Sequence, residues 1–262
     1  MTGPLGKRSL GIVVPWLLPA LLIVAWQGAA SGGLIATRVL PAPLDVLAAA
    51  WKLVHTGELW QDILISTGRA GLGFAIGGGI GFALGILNGV SPGAARLLDS
   101  SLQMLRNIPH LALIPLVILW FGIDETAKLF LVALGVFFPI YLNTYHGVRT
   151  VDPQLIEMGR VYGLGRRRLF FEVVLPCALP SILVGLRYGL GITWLTLIVA
   201  ETISASSGIG YLTMNAREFL QTDVVVLGIL IYAALGMLAD WAALALERRW
   251  LAWHPTFQPE AV

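Results

Sequence analysis

Charged residues are missing from long stretches of this sequence, and a bilayer-spanning helix needs about 20 mostly apolar residues. The runs are Ser9 to Thr37, Ala70 to Ala95, Asn107 to Ile123, Leu129 to Val148, Val173 to Ala200 with Arg187 inside it, and Val224 to Leu246 with Asp240 inside it. This pattern predicts an all-α membrane protein with six transmembrane helices. A membrane barrel would show segments of about ten residues with alternating polarity instead, and none are visible. Between the first two runs, Pro41 to Asp62 reads as a short amphipathic helix at the membrane surface, anchored by Trp51 and Trp60. No segment is long enough to link two bodies, so residues 1–262 are expected to form a single domain.

Composition supports the pattern. The chain is 57% hydrophobic and only 12% charged, whereas soluble domains carry roughly a quarter of their residues charged. Its one cysteine, Cys177, cannot close an intramolecular disulfide, and His55, His110, His146 and His254 are too dispersed to suggest zinc. The placement of basic residues is more telling than the net charge of +2. With both termini inside, the inner segments hold Lys7, Arg8, Arg96, Arg106, Arg149, Arg160, Arg166, Arg167, Arg168, Arg248 and Arg249. The outer segments hold Arg38, Lys52, Lys128 and Arg217. Eleven against four predicts an N-in, C-in orientation. The first run also has the basic start and small-residue end of a signal peptide, but it is longer than a typical signal core, which favours retention as a span.

Inside the runs, Gly73, Gly77, Gly81, Gly85 and Gly89 recur every four residues and form one ridge on a helix. The ridge suits tight packing within the subunit, or a surface that moves or dimerises. Pro15, Pro19, Pro109, Pro115, Pro139, Pro176 and Pro180 mark places where helices can bend or break. Arg69, near the start of its run, is expected to snorkel to the interface. Arg187 lies deeper and points to the interior or to an anion pathway. Glu201 and Asp240 are expected at interfaces or in ion pairs. Enzymatic motifs are missing: Lys7, Lys52 and Lys128 precede Arg8, Leu53 and Leu129, so none completes a phosphate-binding loop. There is no His-Glu-x-x-His, and Gly89-Val90-Ser91-Pro92 lacks the second glycine of a nucleophile elbow.

The connection from Arg149 to Pro176 is the longest and most charged on the inner side. Asp152 suits an N-cap and Pro153 the first helical position, so a short helix is predicted through Glu157 towards a stop at Gly163. A second helix or turn should lead to Pro176. The segment fits either an ordinary basic loop or a docking surface for a partner.

At this loop, Glu157, Met158, Gly159, Gly163, Val173, Leu175 and Pro176 resemble the signature of ABC importer permeases. That signature has a glutamate, two usually small residues, a glycine, and a later aliphatic-x-Leu-Pro. Met158 and Gly159 replace the usual alanines, and a helical glycine costs about 1 kcal/mol relative to alanine, so the helix is expected to lean on its partner for rigidity. Ser101 to Asp124 and Glu201 to Asp223 are similar to the nitrate, sulfonate and taurine branch, most of all to aliphatic sulfonate permeases.

The resemblance implies a permease fold in which loop 149–176 is a coupling helix seated on an ABC ATPase subunit. Glu157, Met158, Gly159, Arg160, Gly163, Leu175 and Pro176 would then be its coupling residues, and Arg166 to Arg168 would meet lipid headgroups. It further implies a bacterial inner-membrane protein working with a second copy of itself, with membrane lipid, and with a periplasmic or lipid-anchored binding protein. No nucleic acid partner is expected. This chain would bind no cofactor, since ATP and Mg belong to the ATPase, and would not itself be an enzyme. Aliphatic sulfonates are the expected substrates; taurine, nitrate, another small solute, and an ATPase-independent secondary transporter remain alternatives. Arg69 and Arg187 are assigned to the pathway. The segment Ser204 to Thr222, with Glu201, Gly208, Gly210 and Asn215, is assigned to an outer gate or binding-protein contact.

Overall fold

A computed structural model describes residues 4–204 and 206–253, with side chains at 15–203 and 206–253. Ala205 and His254 lie outside the described residues, as do the side chains of Lys7 and Arg8. The elements are α1 (Pro4–Ser31), α2 (Pro43–Thr56), α3 (Glu58–Val90), α4 (Pro92–Arg106), α5 (Ile114–Phe121), α6 (Glu125–Arg149), α7 (Pro153–Val161), α8 (Arg166–Leu169), α9 (Leu175–Ser204), α10 (Ile209–Glu218) and α11 (Thr222–Trp250). A 3₁₀ turn at His110–Leu113 precedes α5, and a wide π turn at Phe170–Val174 joins α8 to α9. No strand occurs among the described residues.

Local chemistry sets the boundaries. Pro43 opens α2, and the Asp45 carboxylate accepts the Ala42 N–H at 3.2 Å. Gly57, at φ 80°, ends α2 and starts α3 in a single residue, a left-handed conformation that glycine adopts without steric cost. The second predicted span therefore begins at Glu58 rather than Ala70. It also stops at Val90, because Ser91 caps a new helix: its hydroxyl accepts the Ala94 N–H at 3.3 Å and Pro92 takes the first helical position.

Among the described residues, four helical stretches are long and apolar enough to cross a membrane: α3, α6, the α8–α9 rod and α11. The third predicted span needs correction. Asn107 to Ile123 does not form one straight helix. α5 has only eight residues, and α4 and the 110–121 segment form a helix pair bent by 80°. Pro109 disfavours helical geometry at Ile108 and cannot donate to the preceding turn, so the rod breaks there. In α1, the side chains from Trp16 to Leu18 and Leu21 to Val24 are exposed, leaving its apolar surface uncovered by this chain.

The core lies between α3, α6 and α9, where Ala70, Val132, Val136, Ile140 and Leu197 pack together. The glycine ridge explains how α3 and α6 approach. A β-carbon at Gly73 would lie 2.6 Å from Val132, one at Gly81 2.6 Å from the Phe137 carbonyl oxygen, and one at Gly89 2.7 Å from Val148. One at Gly77 would collide with the backbone of Ala133. Residue numbers rise together along the two helices, so they run parallel, and the ridge is spent on packing within the subunit. The molecule thus has two ends. α3, α6 and α11 start, and α9 finishes, at the first; α7 and the start of α9 lie at the second.

Candidate functional site

At the second end, the segment 149–176 has the geometry its residues dictate. The Asp152 carboxylate accepts the Gln154 N–H at 2.8 Å, and Pro153 occupies the first turn of α7. The helix closes on Gly163, at φ 79°, with Gly163 N–H donating to Arg160 O at 2.9 Å and Leu164 N–H to Gly159 O at 3.0 Å. This pair of bonds is the Schellman stop, which needs a residue in left-handed conformation. Gly159 faces inward, where a β-carbon would lie 2.6 Å from Leu169 and 3.3 Å from Leu164. α7 is therefore packed against its own chain through this face.

The opposite face of α7 is free. Glu157, Met158 and Arg160 are exposed, as are Val161 at 87% and Tyr162 at 79%. Leu175 and Pro176 are not on this face. Leu175 packs with Val148, Ala178 and Ile182, tying the foot of α9 to α6. Pro176 lies just past the π turn, where its missing N–H leaves the residue 172 carbonyl without its usual helical donor and a wider turn fits. Helix α8, the π turn and α9 make one rod of 38 residues over Arg166–Ile203, about 57 Å at 1.5 Å per residue. α7 rests on the foot of that rod.

The head of the rod carries Glu201, and the other cluster of charge forms around it. Arg69, buried to 5% exposure, has all five guanidinium hydrogens engaged. Its Nε and Nη2 donate to the two Glu125 oxygens at 2.6 and 2.5 Å. Nη1 donates to Glu201 Oε1 at 2.7 Å and to the Ser207 carbonyl at 2.6 Å, and Nη2 also reaches Ser207 Oγ at 3.0 Å. Lys128 Nζ donates to Glu125 Oε1 at 2.9 Å. Tyr232 Oη donates to Glu201 Oε2 at 2.8 Å, and Ser66 Oγ lies 2.8 Å from both Glu201 oxygens.

This network also caps α10. Three successive backbone N–H groups at its start are received by side chains of other helices: Gly208 by Asp62 at 2.8 Å, Ile209 by Ser66 Oγ at 3.0 Å, and Gly210 by Glu201 Oε2 at 2.9 Å. A helix start presents unpaired donors and partial positive charge, which suits acceptors and carboxylates. Gly208 sits so close that a β-carbon would lie 2.6 Å from Arg69 and Glu201. α3, α6, α9, α10 and α11 are clasped at one point.

The structure therefore brings Arg69, Glu201, Gly208 and Gly210 together. Asn215 lies further along α10, outside the network. The snorkelling expected of Arg69 is not observed, because α3 begins eleven residues before it and buries it among carboxylates, leaving no donor for a passing anion. Glu201 is paired, as expected, but deeply buried. The sequence reading missed Asp62, Ser66, Glu125, Lys128, Ser207 and Tyr232. The spacing of Asp62, Ser66 and Arg69, four and then three residues apart, was the available signal, since it places all three on one helix face.

Arg187 is elsewhere. It forms a two-point ion pair with Asp240, Nε to Oδ1 at 2.6 Å and Nη2 to Oδ2 at 3.2 Å, with both side chains 43% exposed. The pair lines an open groove of about 780 Å³ between α9 and α11.

Comparison with known proteins matches residues 75–252 to the family described as "Binding-protein-dependent transport system inner membrane component". The chain is 61% identical over 251 residues to the "Putative aliphatic sulfonates transport permease protein SsuC" of Escherichia coli, covering 96% of this chain and 95% of that protein. It is 46% identical to the protein of the same name from Bacillus subtilis, covering 97% and 92% respectively. Among solved structures it resembles a chain of an amino acid ABC transporter crystallised with histidines, with a TM-score of 0.60 and 17% identity over 76% of this chain and 97% of that one. That likeness concerns the fold.

Proposed function

The chain belongs to the family of binding-protein-dependent transport system inner membrane components, and from that premise we propose that it is the permease subunit of an ATP-driven importer that carries aliphatic sulfonates into the cytoplasm. In this reading it spans the inner membrane six times, counting α1 and the bent α4–α5 pair, with both termini inside. Two copies pair with two ATPase subunits, which bind ATP and Mg, and a periplasmic or lipid-anchored binding protein delivers substrate at the first end.

The observation that carries this reading is the exposed face of α7 on the foot of a membrane-length rod. Val161 and Tyr162 are largely exposed among the described residues, flanked by the charges of Glu157 and Arg160. Such a face suits a groove in a soluble subunit better than it suits water. When the ATPase subunits close, α7 moves, and Gly159 passes the motion to Leu169 and the rod. The rod's head holds Glu201, which grips the start of α10, so the docking loop and the outer segment move together. Transport is a shift between two packings of this bundle, each favoured by different states of the ATPase.

Growth of a deletion strain on single sulfur sources tests the reading. Loss of growth on ethanesulfonate but not on sulfate, restored by the native gene and not by Gly163→Pro, is the expected result. Proline cannot adopt the left-handed φ of residue 163, so the turn that presents α7 is lost. Uptake by the purified chain alone, without ATPase or ATP, would overturn the importer reading and favour a secondary transporter.

A further inference from the structure

The Arg187–Asp240 pair raises a question of solvation. Arg187 lies twelve residues into α9 and Asp240 eighteen residues into α11, which has ten more to run. Both are therefore near mid-depth, yet both are 43% exposed on the subunit surface. A charged pair at that depth cannot face hydrocarbon without large cost, so this surface borders wet space or protein. The groove beside it has two characters. Val184, Ile192 and Leu195 give it apolar walls, Arg187 supplies the one guanidinium, and Glu247 stands on the same face of α11 two turns nearer the second end.

We propose that Arg187 is a transit site for the sulfonate group and that Asp240 is the built-in anion that displaces it. The proposal rests on the sulfonate-importer reading. A sulfonate is a permanent anion whose oxygens accept two N–H bonds from one guanidinium, the same geometry that Asp240 now occupies at 2.6 and 3.2 Å. An alkyl tail fits the apolar walls. Arg187 cannot hold substrate and Asp240 fully at once, so the two anions compete. Without a competitor, a guanidinium bound at two points would hold the anion too long for turnover. With Asp240 returning to Arg187, the substrate is released toward the second end. A site on a pathway must bind enough to admit its ligand and weakly enough to let it leave.

The test uses the permease with its ATPase subunits in nanodiscs, without nucleotide, and equilibrium binding of radiolabelled ethanesulfonate. Asp240→Asn is expected to bind at least tenfold more tightly than wild type, and adding Arg187→Met should remove that gain. In proteoliposomes supplied with ATP and loaded binding protein, Asp240→Asn should turn over severalfold more slowly despite its tighter binding. A pair that only staples α9 to α11 would give no gain in affinity. Equal binding by Asp240→Asn and wild type, or a gain that survives Arg187→Met, overturns the proposal while the importer reading stands. Failure of the wild-type complex to take up ethanesulfonate overturns both.

Discussion

Gly77 and Gly79 sit two residues apart on α3, yet a methyl group has opposite consequences at the two positions. At Gly77 it would run into the backbone of Ala133, which has no rotamer to offer, so the two helices must separate. At Gly79 it meets nothing within 4 Å. Overpacking a tight interface costs about 1–3 kcal/mol, whereas replacing an exposed helical glycine by alanine gains up to about 1 kcal/mol. Gly77→Ala should therefore lower the thermal unfolding midpoint of the purified protein, and Gly79→Ala should leave it equal or higher. The four-residue spacing of the ridge was legible in the sequence, because helical periodicity alone puts those glycines on one face. Which helix the ridge meets was not, since that depends on where α6 packs.

Among the elements, α10 depends most on its neighbours. It has ten residues, shorter than a helix that is stable alone in water, and its first N–H groups are held by Asp62, Ser66 and Glu201 from α3 and α9. Glu201 thus serves two roles, as acceptor for α10 and as counter-charge for Arg69. Glu201→Gln keeps the shape but removes one of the two carboxylates that neutralise Arg69; Glu125 still pairs with the guanidinium, so the cost stays below the roughly 3–5 kcal/mol of leaving a buried charge unpaired. The expected outcome is a lower unfolding midpoint together with faster backbone hydrogen exchange across residues 206–218. Unchanged exchange there would separate α10 from the network. Helix α7 is the contrasting case, since its cap, first-turn proline and glycine stop lie within one short segment, and its boundaries were readable for that reason.

For the whole molecule, the orientation proposed from the basic residues makes α7 cytoplasmic and the turn after α10 external. With Cys177 replaced by serine and the permease produced without its ATPase subunits, Phe219→Cys should react with an impermeant maleimide in intact spheroplasts, and Val161→Cys should react only after the membrane is opened. Both side chains are well exposed, at 69% and 87%, so accessibility within the chain does not confound the comparison; the reverse pattern would invert the molecule. The helical membrane class, the apolar stretches and the turn that ends α7 were legible in the amino-acid order, because each follows from spacing within one segment: hydrophobic run length, caps, prolines and a left-handed glycine. Packing in three dimensions is what brings Arg69 to Glu125 and Glu201, 56 and 132 residues away, pairs Arg187 with Asp240, and bends the α4–α5 pair by 80°. Charges that must leave water find partners through helix packing, and no local periodicity encodes which distant helix arrives with the opposite sign.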